Sequence, residues 1–310
     1  MGRGDLTDAE GERLRPFLPV SNRRCGRWRD HRQVIDGILH RVRTGVHWRD
    51  LPERFGPWKM VYERHRLWSA DGTWERLLQR VQAEADAAGN IDWDSSVDST
   101  VVRAHQHAAG ARTDPPPALA PKGAGPRRTP GRDTVAEPRR PAGGGGAGGE
   151  GLGRSRGGFT NKIHLSADGF CRPLSLIVTP GQRADCTQFE PVLEKIRVLR
   201  TGPGRPRKTP DSVACDKAYS NGPCRAYLRR RGIRHTIPEK SDSRAARLRK
   251  GSRGGRPPGF DEERYRKRNT VERAINRLKH ARAVATRYDK RGYVYLGTVT
   301  AAALVIWLRT

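Results

Sequence analysis

A basic segment near the C-terminus, "YRKRNTVERAINRLK" (residues 265–279), places four side chains that could do chemistry at helical spacing. At about 100° per residue, Tyr265, Arg268, Glu272 and Lys279 lie on one narrow stripe of a helix. A separate apolar arc, typical of a helix that buries one face, contains Val271, Ala274, Ile275 and Leu278. The stripe could present one acid among bases that bind phosphate. A solvated face with ion pairs between residues four apart explains the same spacing.

Two aspartates could join this glutamate. Asp98 lies near the end of a predicted strand, "IDWDSSVDSTVV" (91–102), and Asp216 lies where the apolar "SVAC" gives way to a loop. The ends of neighbouring strands in an open α/β sheet present groups to a cleft, and Glu272 could reach the same edge. Three carboxylates without histidine or cysteine form an oxygen-only site that suits Mg²⁺ or Mn²⁺. Taken singly, Asp98 could be a solvated strand residue and Asp216 a cap for the next turn.

The charge of the chain indicates a polyanionic partner. The 310 residues, enough for about two domains, include 61 Lys and Arg against 33 Asp and Glu, a formal net charge of +28. Nucleic acid is the leading candidate because its phosphates would neutralise this charge. An anionic membrane surface is the alternative, but the basic residues are spread along the chain and form no single amphipathic helix.

Residues 1–88 are predicted to form a helical DNA-binding domain. Thr7 and Glu10 have capping-box spacing at the first helix, and Gly45 is the predicted stop of the second, "RDHRQVIDGILHRVRTG". A third helix, "WKMVYERHRLWSADG", carries Arg and His on predicted outward positions, and "TWERLLQRVQAEADAA" is the fourth. This order is compatible with a helix-turn-helix DNA reader and equally with a dimerising bundle.

Residues 89–310 are predicted to form a mixed sheet with helices on both faces. After the strand at 91–102, the predicted strands are "FTNKIHLSAD", "CRPLSLIVTPG", "SVACD" and "IRHTIPE". Helices are predicted over "CTQFEPVLEKIRVLR", "GPCRAYLRRRG" and 265–279, with a loop over 240–260. Residues 108–158 are rich in Gly, Pro, Ala and Arg and are predicted to be a disordered insertion between the first two strands.

Several other features have a simpler interpretation. Five cysteines without a C-x-x-C pair indicate neither a disulfide framework nor a cysteine zinc site, and the N-terminus lacks a signal-peptide segment, so a cytoplasmic location is expected. The apolar run at 293–308 is predicted to be a buried helix and not a membrane span. His105 and His107 fit a loop role better than metal ligation. The basic loops at 203–208 and 254–259 fit minor-groove arms or general phosphate contacts.

These motifs together resemble a known family. "VDSTVVRAHQHAAG" around Asp98, "ACDKAY" around Asp216 and the Tyr-x2-Arg-x3-Glu-x6-Lys pattern are similar to bacterial insertion-sequence transposases of the DDE type, of the insertion-sequence-five-like kind. "RGGFTNKIHLSADG", "TPGQRADCTQFE", "ATRYDKR" and the N-terminal "GVHWRDLPERFGPW" also resemble family segments. The resemblance covers nearly all of the chain.

The resemblance implies a ribonuclease-H-like domain preceded by an all-α, helix-turn-helix-like domain. It implies that Asp98, Asp216 and Glu272 hold two divalent ions and catalyse DNA cleavage and strand transfer at transposon ends. Arg268 and Lys279 would contact phosphates, and Tyr265 would stack on a base or sugar. The expected partners are double-stranded transposon ends and target DNA, with a homodimer or higher oligomer on DNA. The alternatives are a nuclease that cuts without joining and a decayed protein that only binds DNA.

Overall fold

The N-terminal part of the molecule is helical, as predicted. The computed structural model describes residues 4–20, 30–109, 150–155 and 157–310. The first four α-helices are α1 (Asp8–Leu14), α2 (His31–Thr44), α3 (Trp58–Ala70) and α4 (Thr73–Ala87). Short 3₁₀ turns among them are Arg15–Phe17, Trp48–Asp50 and Glu53–Phe55.

Local sequence signals set two of these helix ends. Thr7 Oγ1 accepts from the Glu10 N–H while Glu10 Oε2 accepts from the Thr7 N–H, so the predicted capping box of α1 is confirmed. Gly45 ends α2 with φ 73°, the left-handed conformation that glycine adopts without a Cβ clash. A side chain here would also meet Arg282, whose Cβ would lie 3.1 Å from an added Cβ.

A mixed sheet follows. The strands within the described residues are β1 (Asp94–Ala104), β2 (Gly153–Ser155), β3 (Gly158–Ala167), β4 (Pro173–Pro180), β5 (Ser212–Cys215), β6 (Arg234–Thr236) and β7 (Thr286–Arg287). The main order is β2-β3-β1-β5-β6, with β4 beside β3 and β7 beside β1. β1, β3 and β4 pair antiparallel, whereas β1, β5 and β6 pair parallel. The predicted mixed α/β fold is therefore confirmed.

The remaining helices flank this sheet. They are α5 (Gln106–Ala109), α6 (Phe189–Glu194), α7 (Gly222–Arg230), α8 (Ser241–Arg249), α9 (Glu262–Arg266), α10 (Asn269–Lys279), α11 (Arg282–Ala285) and α12 (Gly292–Leu308). The 3₁₀ turns in this part are Asp185–Gln188, Lys217–Tyr219 and Gly251–Gly254.

Helix α12 joins the two predicted domains through one hydrophobic core. It packs against α3 and α4 on one side and β4 on the other, and its Tyr295, Val299 and Ala303 are fully buried. The apolar C-terminal run is thus the buried helix that was predicted. None of the helices in the described part of the chain combines the length and hydrophobicity that a bilayer span requires. The division at residue 88 stays a prediction.

Three predictions about secondary structure were wrong. The helix predicted over 186–200 ends at Glu194, because Val198 leaves it to pair with Arg207. The loop predicted over 240–260 contains α8, a polar helix without a buried residue. The insertion predicted over 108–158 is ordered at its ends, where α5 and β2 lie. Residues 110–149 and 156 of it fall outside the described residues.

The outward histidine predicted on α3 was also wrong, because His65 is fully buried. Trp74 Nε1 donates to His65 Nδ1 at 3.1 Å, so the opposite nitrogen, Nε2, carries the proton and donates to Thr298 Oγ1 at 3.1 Å. Thr298 in turn donates to Asp289 at 2.9 Å. Burial lowers the pKa of His65 to about 4, since the charged ring loses its hydration.

This histidine should make the free energy of unfolding depend on pH. The unfolded ring binds a proton below its ordinary pKa of 6.5, whereas the folded ring resists protonation down to about pH 4. Stability should fall between these values as pH is lowered, by about 3 kcal/mol for this residue. Denaturant unfolding from pH 7 to 4 should therefore show a shallower loss for His65→Gln than for the unaltered protein. Equal slopes would contradict the prediction; His164, whose pKa burial also lowers to about 4, contributes equally to both proteins.

Candidate active site

Parallel pairing of β1 and β5 brings two predicted acids together. Val97 lies opposite Cys215 in the ladder, and Asp98 and Asp216 are the next residues of the two strands. Neighbouring strands are about 4.8 Å apart, and residues side by side in a parallel pair point to the same face. Both aspartates are partly exposed. The sheet therefore presents two carboxylates at one edge of the β1–β5 pair.

Helix α10 carries the third acid onto the same face. Its apolar arc is buried as predicted, and Thr270 Oγ1 donates to Ser96 Oγ of β1 at 3.3 Å. This contact sets the first turn of α10, with Glu272, over the strand that holds Asp98. The prediction of one continuous helix over residues 265–279 was wrong, because α9 ends at Arg266 and α10 begins at Asn269.

Arg268 lies in this break and bridges two of the acids. Its Nη2 donates to Glu272 Oε1 at 2.6 Å and its Nη1 donates to Asp98 Oδ2 at 3.4 Å. The ion pair between residues four apart that the spacing allowed is thus present. Burial would lower the pKa of Arg268, but Glu272 and Asp98 together raise it above its ordinary value. A permanent positive charge stands between the two carboxylates.

The acids also repel one another. Burial raises the pKa of Asp98, and the Asp216 and Glu272 carboxylates raise it further, although the Ser99 N–H and Arg268 act in the opposite direction. Asp216 Oδ1 accepts from the Ala218 N–H at 2.8 Å, so this residue caps the next turn as well as facing Asp98. A carboxyl whose pKa is raised by neighbouring carboxylates favours a bound cation, because the cation offsets their repulsion.

The residue types fit a hard divalent cation, since all three acids offer only carboxylate oxygen. Within the described ranges, however, no three His, Cys, Asp or Glu side chains are grouped closely enough to hold a metal ion. Arg268 accounts for the separation of Asp98 from Glu272, because its guanidinium lies between them. The site is a set of converging acids with an internal cation.

The other two predicted residues lie on either side of the acids. The ring of Tyr265, on α9, packs 5.2 Å from Phe260 with the Arg268 guanidinium 5.7 Å from its centroid. Lys279, at the end of α10, is half-buried and its Nζ donates to the Val101 carbonyl at 3.4 Å. Burial lowers the pKa of this amine. Both contacts leave the side chains at the surface that surrounds the acids.

A polar cluster beneath Asp98 was missed by sequence reasoning. Ser99 Oγ donates to Asp185 Oδ1 at 2.6 Å, and Lys162 Nζ donates to the same oxygen at 3.0 Å. Ser99 faces the opposite side of β1 from Asp98, so the cluster fixes this strand from behind. Asp185 lies in the segment "TPGQRADCTQFE", which resembles a family segment, but the residue spacing in this segment did not indicate a role for Asp185.

Two weaker predictions concern side chains away from the acids. His105 stacks on Tyr288 with ring centroids 4.5 Å apart, and His107 meets His105 edge to face, which is a packing role. In the loop at 203–208, Arg207 pairs with Asp211 at 2.7 Å and lies over the Trp93 ring. This arginine is therefore held against the protein, whereas the DNA role of both basic loops stays a prediction.

The mixed sheet with flanking helices is that of a ribonuclease-H-like fold. Residues 91–306 match the family model described as "Transposase DDE domain", and residues 6–78 match "Putative transposase of IS4/5 family (DUF4096)". The first match covers more than half of the chain. The chain therefore belongs to the DDE transposase family, as the motifs predicted.

Individual relatives agree with this assignment. The chain is 28% identical over 151 residues to "Putative transposase for insertion sequence element IS6501" of Brucella ovis, which covers 49% of this chain and all of that protein. It is 30% identical over 135 residues to "Putative transposase for insertion sequence element IS402" of Burkholderia cepacia, and the match covers 44% of this chain and 56% of that protein. It is 41% identical over 108 residues to "Uncharacterized protein y4sN" of Sinorhizobium fredii, and the match covers 34% of this chain and 82% of that protein. No solved structure matches the chain.

Proposed function

We propose that this transposase binds the terminal inverted repeats of an insertion sequence and catalyses metal-dependent strand cleavage and strand transfer. What supports the proposal is that Asp98 and Asp216 follow paired positions of β1 and β5, and that Arg268 bridges Asp98 and Glu272. Asp98 lies within β1, which continues to Ala104 and, contrary to the prediction, does not end near this residue, while Asp216 caps a 3₁₀ turn and Glu272 lies in the first turn of α10. Regular structure of this kind can hold the ligands of a metal site in place.

The donor set supports Mg²⁺ or Mn²⁺ as the cofactor, with two ions as the family generally uses. Asp98 and Asp216 would hold these ions and Glu272 would complete the second site. Bound there, the ions would activate water or a 3′-hydroxyl and stabilise the leaving oxygen. Arg268 keeps positive charge beside the reacting phosphate, and its bond to Glu272 orients that carboxylate.

Basic side chains near the acids support binding of the DNA backbone. A cleft of about 740 Å³ beside Asp216 is lined by Lys217, Lys240 and Arg244, together with the acids Glu239 and Asp242. Lys279 lies further along β1, beside Val101. Phosphates on either side of the cut would contact these cations, and Tyr265 would stack on a base or sugar. Residues 1–88 would bind the repeat sequence, and two or more copies would hold the paired ends.

A cleavage assay on the flanking DNA of the gene tests this function. With Mg²⁺ or Mn²⁺ we expect cuts at the borders of an inverted repeat, followed by joining of the new 3′ ends to target DNA. Cuts without joined product would favour the nuclease alternative. Tight binding without any cut would favour a decayed DNA-binding protein. Sedimentation with and without end DNA would test the oligomer.

Lys279→Ala should weaken DNA binding without affecting the acids. Its amine is the cation that α10 places along the strand beyond Asp98, so its loss should remove about one phosphate contact. The slope of log affinity against log salt should become shallower by about one unit. Arg229→Ala, which removes an exposed charge from α7, is the control and should leave the slope unchanged. An unchanged slope for Lys279→Ala would remove this residue from the interface.

A further inference from the structure

A large cleft lies away from the acids, at the junction between the N-terminal helices and the sheet. Its volume is about 870 Å³, within the range of pockets that hold small organic groups. The turn after α2 and the start of α3 form one wall. The residues that follow β1 and β7 form the other. Neither the acids nor Lys279 line it.

Four aromatic rings line this junction cleft. They belong to Trp48, Trp58, Tyr62 and Tyr288, all of which are only partly buried. Trp48 contacts Tyr62, with centroids 5.4 Å apart, and on its buried side it meets His65 and the Arg41 guanidinium, which lies 5.0 Å from its centroid. His105 already stacks on one face of Tyr288. Partly exposed aromatic faces in one pocket suit a flat, unsaturated ligand, because stacking needs only a π-face.

The rim of the junction cleft is basic. Arg49 lies over the Trp58 ring with its guanidinium carbon 5.7 Å from the centroid, and Lys290 is exposed on the opposite wall. Within the described residues neither side chain makes an ion pair, although Asp50 is a nearby acid on the rim. Buried Arg41 also lines the cleft; its Nη atoms pair with Asp289, whereas its Nε has no hydrogen-bond partner in the described part of the chain. Arg49 and Lys290 suit an anionic ligand, and the remaining Arg41 Nε–H suits a polar ring atom.

Helix α10 leads from the acids to this cleft. Glu272 lies over Asp98, Lys279 lies beside Val101, and Arg282 just beyond contacts Gly45, which lines the cleft. β1 ends near the cleft at Ala104, six residues after Asp98. At about 3.3 Å per residue, Asp98 and Ala104 are about 20 Å apart along the strand. At about 3.4 Å per nucleotide, this distance corresponds to about six base pairs of DNA.

We infer that the junction cleft binds an unpaired base of the DNA substrate, about six nucleotides from the scissile phosphate. The base would stack on Trp48 and Tyr288, while Arg49 and Lys290 bind its flanking phosphates. This inference rests on the proposed function, because it needs DNA lying across the acids. A fully paired duplex would contact only the basic residues at the rim through its phosphates, because its bases are stacked on one another and have no face exposed to the aromatic rings.

Fluorescence of 2-aminopurine, a base analogue that is quenched on stacking, tests the inference on the unaltered protein. Two duplexes of one sequence are compared, one with a single unpaired 2-aminopurine and one with that position paired. We expect quenching of the unpaired probe and about tenfold tighter binding of that duplex. Trp48→Leu should remove the quenching and the preference, whereas Trp48→Phe should keep both. Arg229→Ala is the control, since α7 lines none of the cleft.

The outcomes separate the cleft from the function. Binding of both duplexes with equal affinity and no quenching would overturn the inference and leave the proposed function intact. Failure to bind either duplex would overturn both. If Trp48→Leu does not fold, the exposed pair Arg49→Ala and Lys290→Ala takes its place. Each should weaken binding of the unpaired duplex more than Arg229→Ala does, and an equal effect would count against the cleft.

Discussion

Asp216→Asn should abolish metal-dependent DNA cleavage, with a loss of at least about a thousandfold in rate. The amide has the same shape and its oxygen can still accept from the Ala218 N–H, so the turn after β5 should keep its conformation. What disappears is a negative charge beside Asp98, which a divalent ion needs. Binding of DNA should be unchanged or slightly tighter, because one repulsive charge has been removed. Gel electrophoresis of cleaved ends, beside a binding titration, measures both effects.

The matched control is Asp242→Asn. This acid lines the same cleft as Asp216 and the substitution makes the same change in charge, but Asp242 lies on α8 and not at the β1–β5 edge. Its cleavage rate should stay within a few-fold of that of the unaltered protein. Residual metal-dependent cleavage by Asp216→Asn would show that Asp98 and Glu272 act without it. A similar loss in both variants would indicate an effect of charge on DNA binding instead of catalysis.

Local signals made much of the scaffold predictable. Thr7, Glu10 and Gly45 mark helix ends that need no distant partner, and the apolar period of α2 survives folding because this helix buries the face its sequence presents. The run that forms α12 is apolar throughout and is buried nearly all round. α8 escaped prediction for the converse reason: without a buried residue, no apolar arc distinguishes it from a loop. Prediction was good where burial follows a repeating pattern.

Tertiary contacts decided the rest. His65 was placed outside by its polarity, yet its ring nitrogens are satisfied by Trp74 and by Thr298, the latter 233 residues away. The helical wheel put Tyr265 and Arg268 on one helix, but the helix is interrupted between these two residues. Their contact survives the break, because Arg268 still lies 5.7 Å from the Tyr265 ring. Spacing therefore indicated proximity correctly while giving the wrong local structure.

The internal cation of the candidate site would stabilise the proposed metal ligands before any metal ion binds. Three acids on one face would repel one another, and Arg268 offsets this repulsion with two contacts of its own. The same residue carries the charge expected to meet DNA phosphate. If Arg268 contacts DNA phosphate as proposed, one guanidinium would serve both the stability of the free protein and the binding of its substrate.

Asp289→Asn should lower the free energy of unfolding by about 3–5 kcal/mol. The Asp289 carboxylate accepts from both Nη atoms of Arg41 at 3.0 and 3.3 Å, and both side chains are about 95% buried. Removing the charge leaves the Arg41 guanidinium buried without a counterion. An uncompensated buried charge is strongly destabilising, even where the intact ion pair adds little stability relative to apolar residues. The effect should therefore be much larger than for an exposed pair.

Glu63→Gln provides the exposed comparison, since Glu63 pairs with Arg66 at 2.8 Å on the surface of α3 and should contribute less than about 1 kcal/mol. Arg41 belongs to α2 and Asp289 follows β7, so their pair joins the N-terminal helices to the sheet. If one core unites these parts, Asp289→Asn should shift a single denaturation curve measured by circular dichroism and by tryptophan fluorescence. Two separate transitions would show that the helices fold independently of the sheet. A loss no larger than that of Glu63→Gln would mean that water or a nearby acid replaces the missing carboxylate.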